Sequence, residues 1–335
     1  MKNIILAGLL LFTVAAQAET APLAAPDAAQ RAACEALKLT DFAGIPDAPT
    51  RVAESFYVDA ASGVPAYCMA RGYVAPQVGF QLKLPVANWN GKLLEIGSGG
   101  FAGSTQGGAE GRWCDEAVRQ GYACIHSDHG HTSGVSDKSV ASLDGVWAWN
   151  NPQAEIDYAF RALHVVALAQ KAIARKYYGA QEKQSYFMGC SGGGRQALVA
   201  AQRFPWDFNG IVAMEPAINL SGAFMTFVWN YQSLTDAQGK ALFTPEQLMV
   251  LHKQAVAKCD MDDGVADGVI GNPRACGFDP ASLACGAGQG ESCLTPAQVT
   301  AAKKVYGGPV ASDGRRLYPG GVMPGGEVGS FGFGV

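Results

Sequence analysis

Ser185-Tyr186-Phe187-Met188-Gly189-Cys190-Ser191-Gly192-Gly193-Gly194-Arg195 runs from a short β-prone segment into a glycine-rich turn, and a helix is predicted from Arg195 to Arg203. Within it, Gly189-Cys190-Ser191-Gly192-Gly193 is a G-x-S-x-G set placed between strand and helix, the context of a nucleophile elbow. Such an elbow is a strained strand-to-helix turn. Small flanking residues let neighbouring backbone come close, and the Ser191 hydroxyl is presented at the carboxyl edge of the sheet. The N–H of Gly192, at the start of the helix, then falls where an oxyanion develops during acyl transfer. The pentapeptide by itself also suits a phosphate-binding or a plain packing turn. No Gly-Lys-Ser/Thr follows, which argues against a Walker-type loop.

Upstream, Val78-Gly79-Phe80-Gln81-Leu82-Lys83-Leu84-Pro85 alternates with period two and reads as a strand, as do Lys92 to Ile96 and Tyr122 to His126. Asp115 to Gln120 reads as a helix. Gln153 to Tyr178 reads as one long helix with Ile156, Ala159, Phe160, Leu163, Val166 and Leu168 near one face. Gly210 to Met214 is read as one more buried strand. Strands alternating with helices imply a mainly parallel sheet covered on both faces. Gly97-Ser98-Gly99-Gly100-Phe101-Ala102-Gly103 follows an earlier strand, where hydrolases with such an elbow draw a second oxyanion N–H. Gly99 and Gly100 both suit that role, and the motif does not decide between them. From Asn219 the rhythm breaks, and Cys, Asp, Pro and Gly dominate to Val335.

The chain has 335 residues, 48% hydrophobic and 16% charged, enough to bury a large core. Its 25 basic and 29 acidic residues leave a net charge of −4, which argues against a nucleic-acid partner. Lys2, the apolar run Ile4 to Ala15 and Ala16-Gln17-Ala18 form a signal peptide over residues 1–18, so a secreted or periplasmic protein is expected. No later apolar run reaches the roughly 18 residues a membrane helix needs, and no membrane partner is expected. Nine cysteines (Cys34, Cys68, Cys114, Cys124, Cys190, Cys259, Cys276, Cys285 and Cys293) should pair in an oxidising compartment, leaving one over. Cys259/Cys276 and Cys285/Cys293 bracket short polar loops and are the expected local staples.

A triad of this kind needs an acid and a His after the serine. Only His252 follows Ser191, in a predicted helix after Thr244-Pro245-Glu246, and it is read as a surface or packing residue. His126, His129 and His131 lie at a strand end and are read as rim packing rather than zinc ligands, because no helical i, i+4 pair or Cys ligand accompanies them. The catalytic His is therefore expected outside this chain. The loop Cys259-Asp260-Met261-Asp262-Asp263-Gly264-Val265-Ala266-Asp267-Gly268-Val269-Ile270 crowds four carboxylates that a cation would neutralise, and calcium is the expected ion. It departs from an EF-hand, with Gly264 at the fifth position and Gly271 where Glu would stand.

The Cys190-Ser191 doublet, Ile156-Asp157-Tyr158-Ala159-Phe160-Arg161-Ala162-Leu163-His164, Phe204-Pro205-Trp206-Asp207-Phe208-Asn209-Gly210-Ile211-Val212-Ala213 and the Asp loop together resemble the tannase/feruloyl esterase family, from about Cys34 to Val335. The resemblance implies an α/β-hydrolase fold, here residues 19–218, with an inserted lid domain, here 219–335. It implies Ser191 as nucleophile, Gly192 and Gly100 as oxyanion donors, and a small aromatic ester as substrate. It also implies calcium held by the side chains of Asp260, Asp263 and Asp267 and the carbonyls of Val265 and Val269, without Asp262. The implied disulfides are Cys34–Cys68, Cys259–Cys276 and Cys285–Cys293, to which we add Cys114–Cys124 as our own inference. In the family, Cys190 would pair with a Cys directly after the catalytic His. With the glycine-rich end, that implies an enzyme truncated at Val335. The alternative is a catalytically inactive protein of the same fold that holds an aromatic ligand.

Overall fold

The computed structural model describes residues 28–106, 108–134, 142–286, 292–318, 321–329 and 333. The signal-peptide segment and most of the glycine-rich end lie outside the described residues. The chain divides into two units, Met1–Pro216 and Ala217–Val335.

In the first unit, α1 (Ala28–Ala36) leads into β1 (Thr50–Val58), β2 (Tyr67–Val74) and β3 (Val78–Pro85). Then follow β4 (Lys92–Ile96), α2 (Gly108–Arg119), β5 (Ala123–Ser127), α3 (Pro152–Ile156), α4 (Ala162–Tyr178), β6 (Gln184–Cys190), α5 (Gly192–Arg203) and β7 (Gly210–Met214). The seven strands form one sheet in the order β1-β2-β3-β5-β4-β6-β7. The sheet is mixed rather than mainly parallel. β1, β2, β3 and β5 pair antiparallel, and only β5, β4, β6 and β7 run parallel. Short turns join β1 to β3 as a meander, whereas each parallel step crosses through a helix.

The chain passes from β4 to β5 on one side and later returns to β6 on the other. The loops after β4 and β6 therefore meet at a switch point, the usual place for a site in an open α/β sheet. Alternate residues of β6 serve the two faces. Phe187 is buried with Leu163 and Ala167 of α4, while Met188 packs with Ile96, Cys114 and Ala117 beside α2. Gln170 of α4 is buried and donates to the carbonyls of Leu94 and Ala123 at 3.0 and 2.9 Å, pinning helix to sheet.

Two helical expectations shift. The predicted long helix is broken by a π turn over Asp157–Arg161, where buried Asp157 takes Arg161 Nη1 at 2.7 Å and Gln153 Nε2 at 3.0 Å. The turn changes the phase, so Leu163 and Val166 are buried as expected while Ile156 and Ala159 face outward. Both α2 and α5 begin earlier than predicted because their first turns are glycine-rich. The expectation of a buried strand at Gly210 to Met214 is also corrected. β7 is the last strand in the sheet order, and Val212 is 51% exposed.

The second unit contains α6 (Leu220–Leu234), α7 (Pro245–Cys259) and α8 (Pro296–Gly307). Thr244 with Gln247 and Thr295 with Gln298 form reciprocal capping boxes that start α7 and α8. Leu234, Phe243, Leu251, Ala302, Val305 and Phe333 form its core. The disulfides Cys34–Cys68, Cys114–Cys124, Cys259–Cys276 and Cys285–Cys293 all match the expected pairs, and Cys190 is the free thiol.

Candidate active site

Ser191 lies between the end of β6 and the first residue of α5 with φ +58° and ψ −114°, a conformation costly for a residue with a Cβ. It is held there from both sides. Its N–H donates to the Met214 carbonyl at 3.1 Å, and its carbonyl accepts the Arg195 N–H at 3.0 Å. A Cβ on Gly192 would run into the Gly100 carbonyl oxygen, and one on Gly193 would lie 2.7 Å from the Gly97 carbonyl oxygen. The glycines of the motif are thus required by the close approach of the loop after β4.

That loop is fixed along its length. Gly97 N–H donates to the Met188 carbonyl at 2.9 Å, and Ser98 N–H to Gln196 Oε1 at 3.0 Å. Gly99 N–H donates to Glu110 Oε1 at 3.1 Å, and Phe101 N–H to the Ser142 carbonyl at 2.7 Å. The Gly99 N–H is therefore engaged. Gly100, at φ +56°, keeps an N–H with no partner among the described residues, as does Gly192 at the head of α5. Two converging donors beside a serine are the geometry that stabilises a developing oxyanion. Gln196, Glu110 and Ser142 were not singled out in the sequence; only contacts made in the fold reveal them.

Beside the loop, His131 stacks on Trp147 with ring centroids 3.8 Å apart, and Tyr158 lies 5.2 Å from Trp147 and 5.9 Å from Phe101. Burial lowers His126 and His131 to about 4 and His129 to about 3. Asp128, between them, is raised by burial to about 7 although the Gly79 and Gly130 N–H groups bond its Oδ1 at 2.9 and 2.8 Å. Burial also pushes Glu95 of β4 well above the usual carboxylate range. Among the described residues, no histidine side chain is hydrogen-bonded to Ser191. His164 pairs with Asp207 at 2.5 Å and His252 with Glu327 at 3.1 Å, and among the described residues the ring nitrogens of His126 and His129 are buried without hydrogen-bond partners.

Glu215, directly after β7, was not singled out either. It holds φ +42°, and its Oε2 lies 3.5 Å from Cys190 Sγ. Burial, then the Glu215 carboxylate, raise the Cys190 thiol. A non-glycine residue at that φ costs on the order of 1–3 kcal/mol, strain that clusters at functional sites.

In the acidic loop, Asp260, Asp263 and Asp267 each turn Oδ1 onto a backbone N–H, of Gly268, Val265 and Val269, at 2.9 to 3.0 Å. Among the described residues no three His, Cys, Asp or Glu side chains converge to hold a metal ion. The five expected ligands share one loop, closed by Cys259–Cys276, but their carboxylates are not gathered on one point.

A strained serine at a switch point, with the N–H groups of Gly100 and Gly192 left without partners nearby among the described residues, is the candidate site of this α/β fold. A family model described as tannase and feruloyl esterase matches residues 62–333. The chain belongs to that family. Mono(2-hydroxyethyl) terephthalate hydrolase of Piscinibacter sakaiensis is 36% identical over 87% of this chain and 54% of its own length. A probable feruloyl esterase B-2 of Aspergillus flavus is 31% identical over 72% of this chain and 44% of its own length. Feruloyl esterase B from Aspergillus oryzae superposes with TM-score 0.72 at 27% identity, covering 91% of this chain and 62% of that one. Tannin acyl hydrolase from Aspergillus niger shares the fold, with TM-score 0.65 at 21% identity, over 88% of this chain and 57% of its own. The fold is thus of the α/β-hydrolase kind. The chain spans about half the length of the curated relatives it matches.

Proposed function

We propose that this protein is an exported serine carboxylic-ester hydrolase that cleaves esters of aromatic acids such as hydroxycinnamates or gallates. The observation that carries this reading is the strained Ser191 beside the unpaired N–H groups of Gly100 and Gly192. Ser191 Oγ attacks the ester carbonyl while its proton passes to a base. The oxyanion rests on the two N–H groups, the alcohol leaves, and water releases the acid from the acyl-enzyme. The family resemblance assigns the base to a His followed by a Cys that pairs with Cys190. Cys190 standing outside the four disulfides supports that assignment. Export is supported by the same disulfides. Among the described residues no helix is long and apolar enough to cross a membrane.

Calcium belongs to this proposal as a structural ion on Asp260, Asp263, Val265, Asp267 and Val269. Among the described residues, none of the loop carboxylates is paired with a Lys or Arg, which supports a need for a counter-ion. Residues 219–335 are proposed as the lid.

The test is hydrolysis of methyl ferulate by the native protein and its Ser191→Ala variant. The variant should lose turnover while keeping its melting temperature; wild-type rates in Ser191→Ala would refute the assignment.

A further inference from the structure

Met214 ends β7 opposite Cys190, and its carbonyl takes the Ser191 N–H at 3.1 Å. The next residue, Glu215, therefore stands at the same sheet edge as the nucleophile, with its carboxylate 3.5 Å from Cys190 Sγ. It is exposed and held at φ +42°. A second carboxylate, Glu110, is half-buried on the other side of the loop, bonded to Gly99 N–H. Among the described residues neither acid is paired with a Lys or Arg. Arg195, in the first turn of α5, is turned elsewhere. Its Nη1 and Nη2 donate to the carbonyls of Ala159 and Tyr158 at 3.3 and 3.0 Å, and its guanidinium lies 4.4 Å from the Tyr158 ring centre. Among the described residues, two carboxylates thus border the point where an ester would bind without a Lys or Arg paired to either.

We propose that Glu215 sets the charge preference of this site, so that it accepts uncharged aromatic esters and disfavours those bearing a free carboxylate. The substrate half of this statement rests on the ester-hydrolase reading; the electrostatic half does not. A charge roughly 7 Å away in a half-solvated site changes a rate constant by about five- to tenfold at low salt. Most of that effect is screened at 0.5 M salt, where the Debye length is about 4 Å.

Cys190 is the single thiol left by the four disulfides, and it provides a probe of the local potential that needs no catalysis. The 335-residue chain is treated with two methanethiosulfonates, one carrying a trimethylammonium group and one a sulfonate. Their rate ratio is referred to that on 2-mercaptoethanol. The cationic reagent should be favoured at least about fivefold at low salt, and Glu215→Gln should bring the ratio to within about twofold of the small thiol. Any change in thiol acidity affects both reagents alike and cancels in the ratio. Glu215→Asn, which tolerates a positive φ, serves as the second variant. An unchanged ratio in both variants overturns the proposal, as does a wild-type 335-residue chain whose Cys190 thiol reacts only after unfolding.

The substrate half is read in the native protein as kcat/KM for methyl 4-carbamoylbenzoate against monomethyl terephthalate, two esters of nearly equal shape. The neutral ester should lead by about fivefold or more at low salt, and Glu215→Gln should reduce that lead by at least about threefold. An equal lead in wild type and variant overturns the substrate half. Hydrolysis of neither ester overturns it together with the hydrolase reading, while the thiol ratio still decides the electrostatic half.

Discussion

At Ser191, catalysis and backbone geometry are the same problem: the φ of +58° is tolerable only because Met214, Gly100 and Gly97 close around it. A methyl group on Gly192 would push the Gly100 carbonyl away and separate the two oxyanion donors. Gly192→Ala should therefore slow acyl transfer by roughly 100- to 1,000-fold, the usual cost of one lost donor, and lower the melting temperature as well, because the atom its Cβ meets is backbone. A stopped assay at saturating substrate would show it. Ser191 and Gly192 were legible in the motif, because residue type and spacing state the turn. Gly100 rather than Gly99 came from the family resemblance alone; the contact that occupies the Gly99 N–H, from Glu110 11 residues away, is visible only in the fold. Asp128 gives a pH prediction. Its carboxyl is raised in the folded state to about 7 from 3.8, so the stability it contributes is present at low pH and lost as pH rises through about 7. Asp128→Asn keeps the Oδ1 acceptor without the charge. It should match wild type only below about pH 3.5, pull ahead as the pH rises from about 4 to 7, and exceed it by roughly 2–4 kcal/mol at pH 8 in denaturant unfolding; equal stability at pH 8 would contradict the raised value.

Among the elements, those with strong period or apolar runs were readable: β3, β4, β5, β6 and the body of α4. The misplacements have local causes. A π turn around the buried Asp157 ion pair leaves no period signature, and glycine at the head of α2 and α5 hides their starts. β7 is as apolar as a central strand, yet its position in the sheet depends on order, which no local pattern states. Its exposure predicts tolerance. Val212→Thr should change stability by no more than about 0.5 kcal/mol, whereas Phe187→Ala, one strand inward and fully buried, should cost about 3–5 kcal/mol. Denaturant midpoints of the two variants separate these outcomes, and a large loss at Val212 would show that β7 is covered.

For the whole molecule, the cysteine pattern carried the most information. Six of the nine cysteines bond as the family resemblance implies, Cys114 and Cys124 bond as separately inferred, and the remaining one adjoins the nucleophile. The chain divides into two units between Pro216 and Ala217. The acidic loop supplies a prediction at this scale. Calcium at about 100 times its dissociation constant should stabilise the folded chain by roughly 2.7 kcal/mol, and Asp263→Asn with Asp267→Asn should remove the effect. Calorimetry with calcium and with chelator reads it, and equal transitions in both would remove calcium from the account.

The central claim is that Ser191 is the residue acylated by substrate. The most direct measurement is treatment of the native protein with an aryl fluorophosphonate, followed by intact mass and peptide mapping. The account predicts one adduct per chain, on Ser191, absent from Ser191→Ala and blocked by an aromatic ester. Labelling on another residue, or none on Ser191 in the folded native protein, would contradict it.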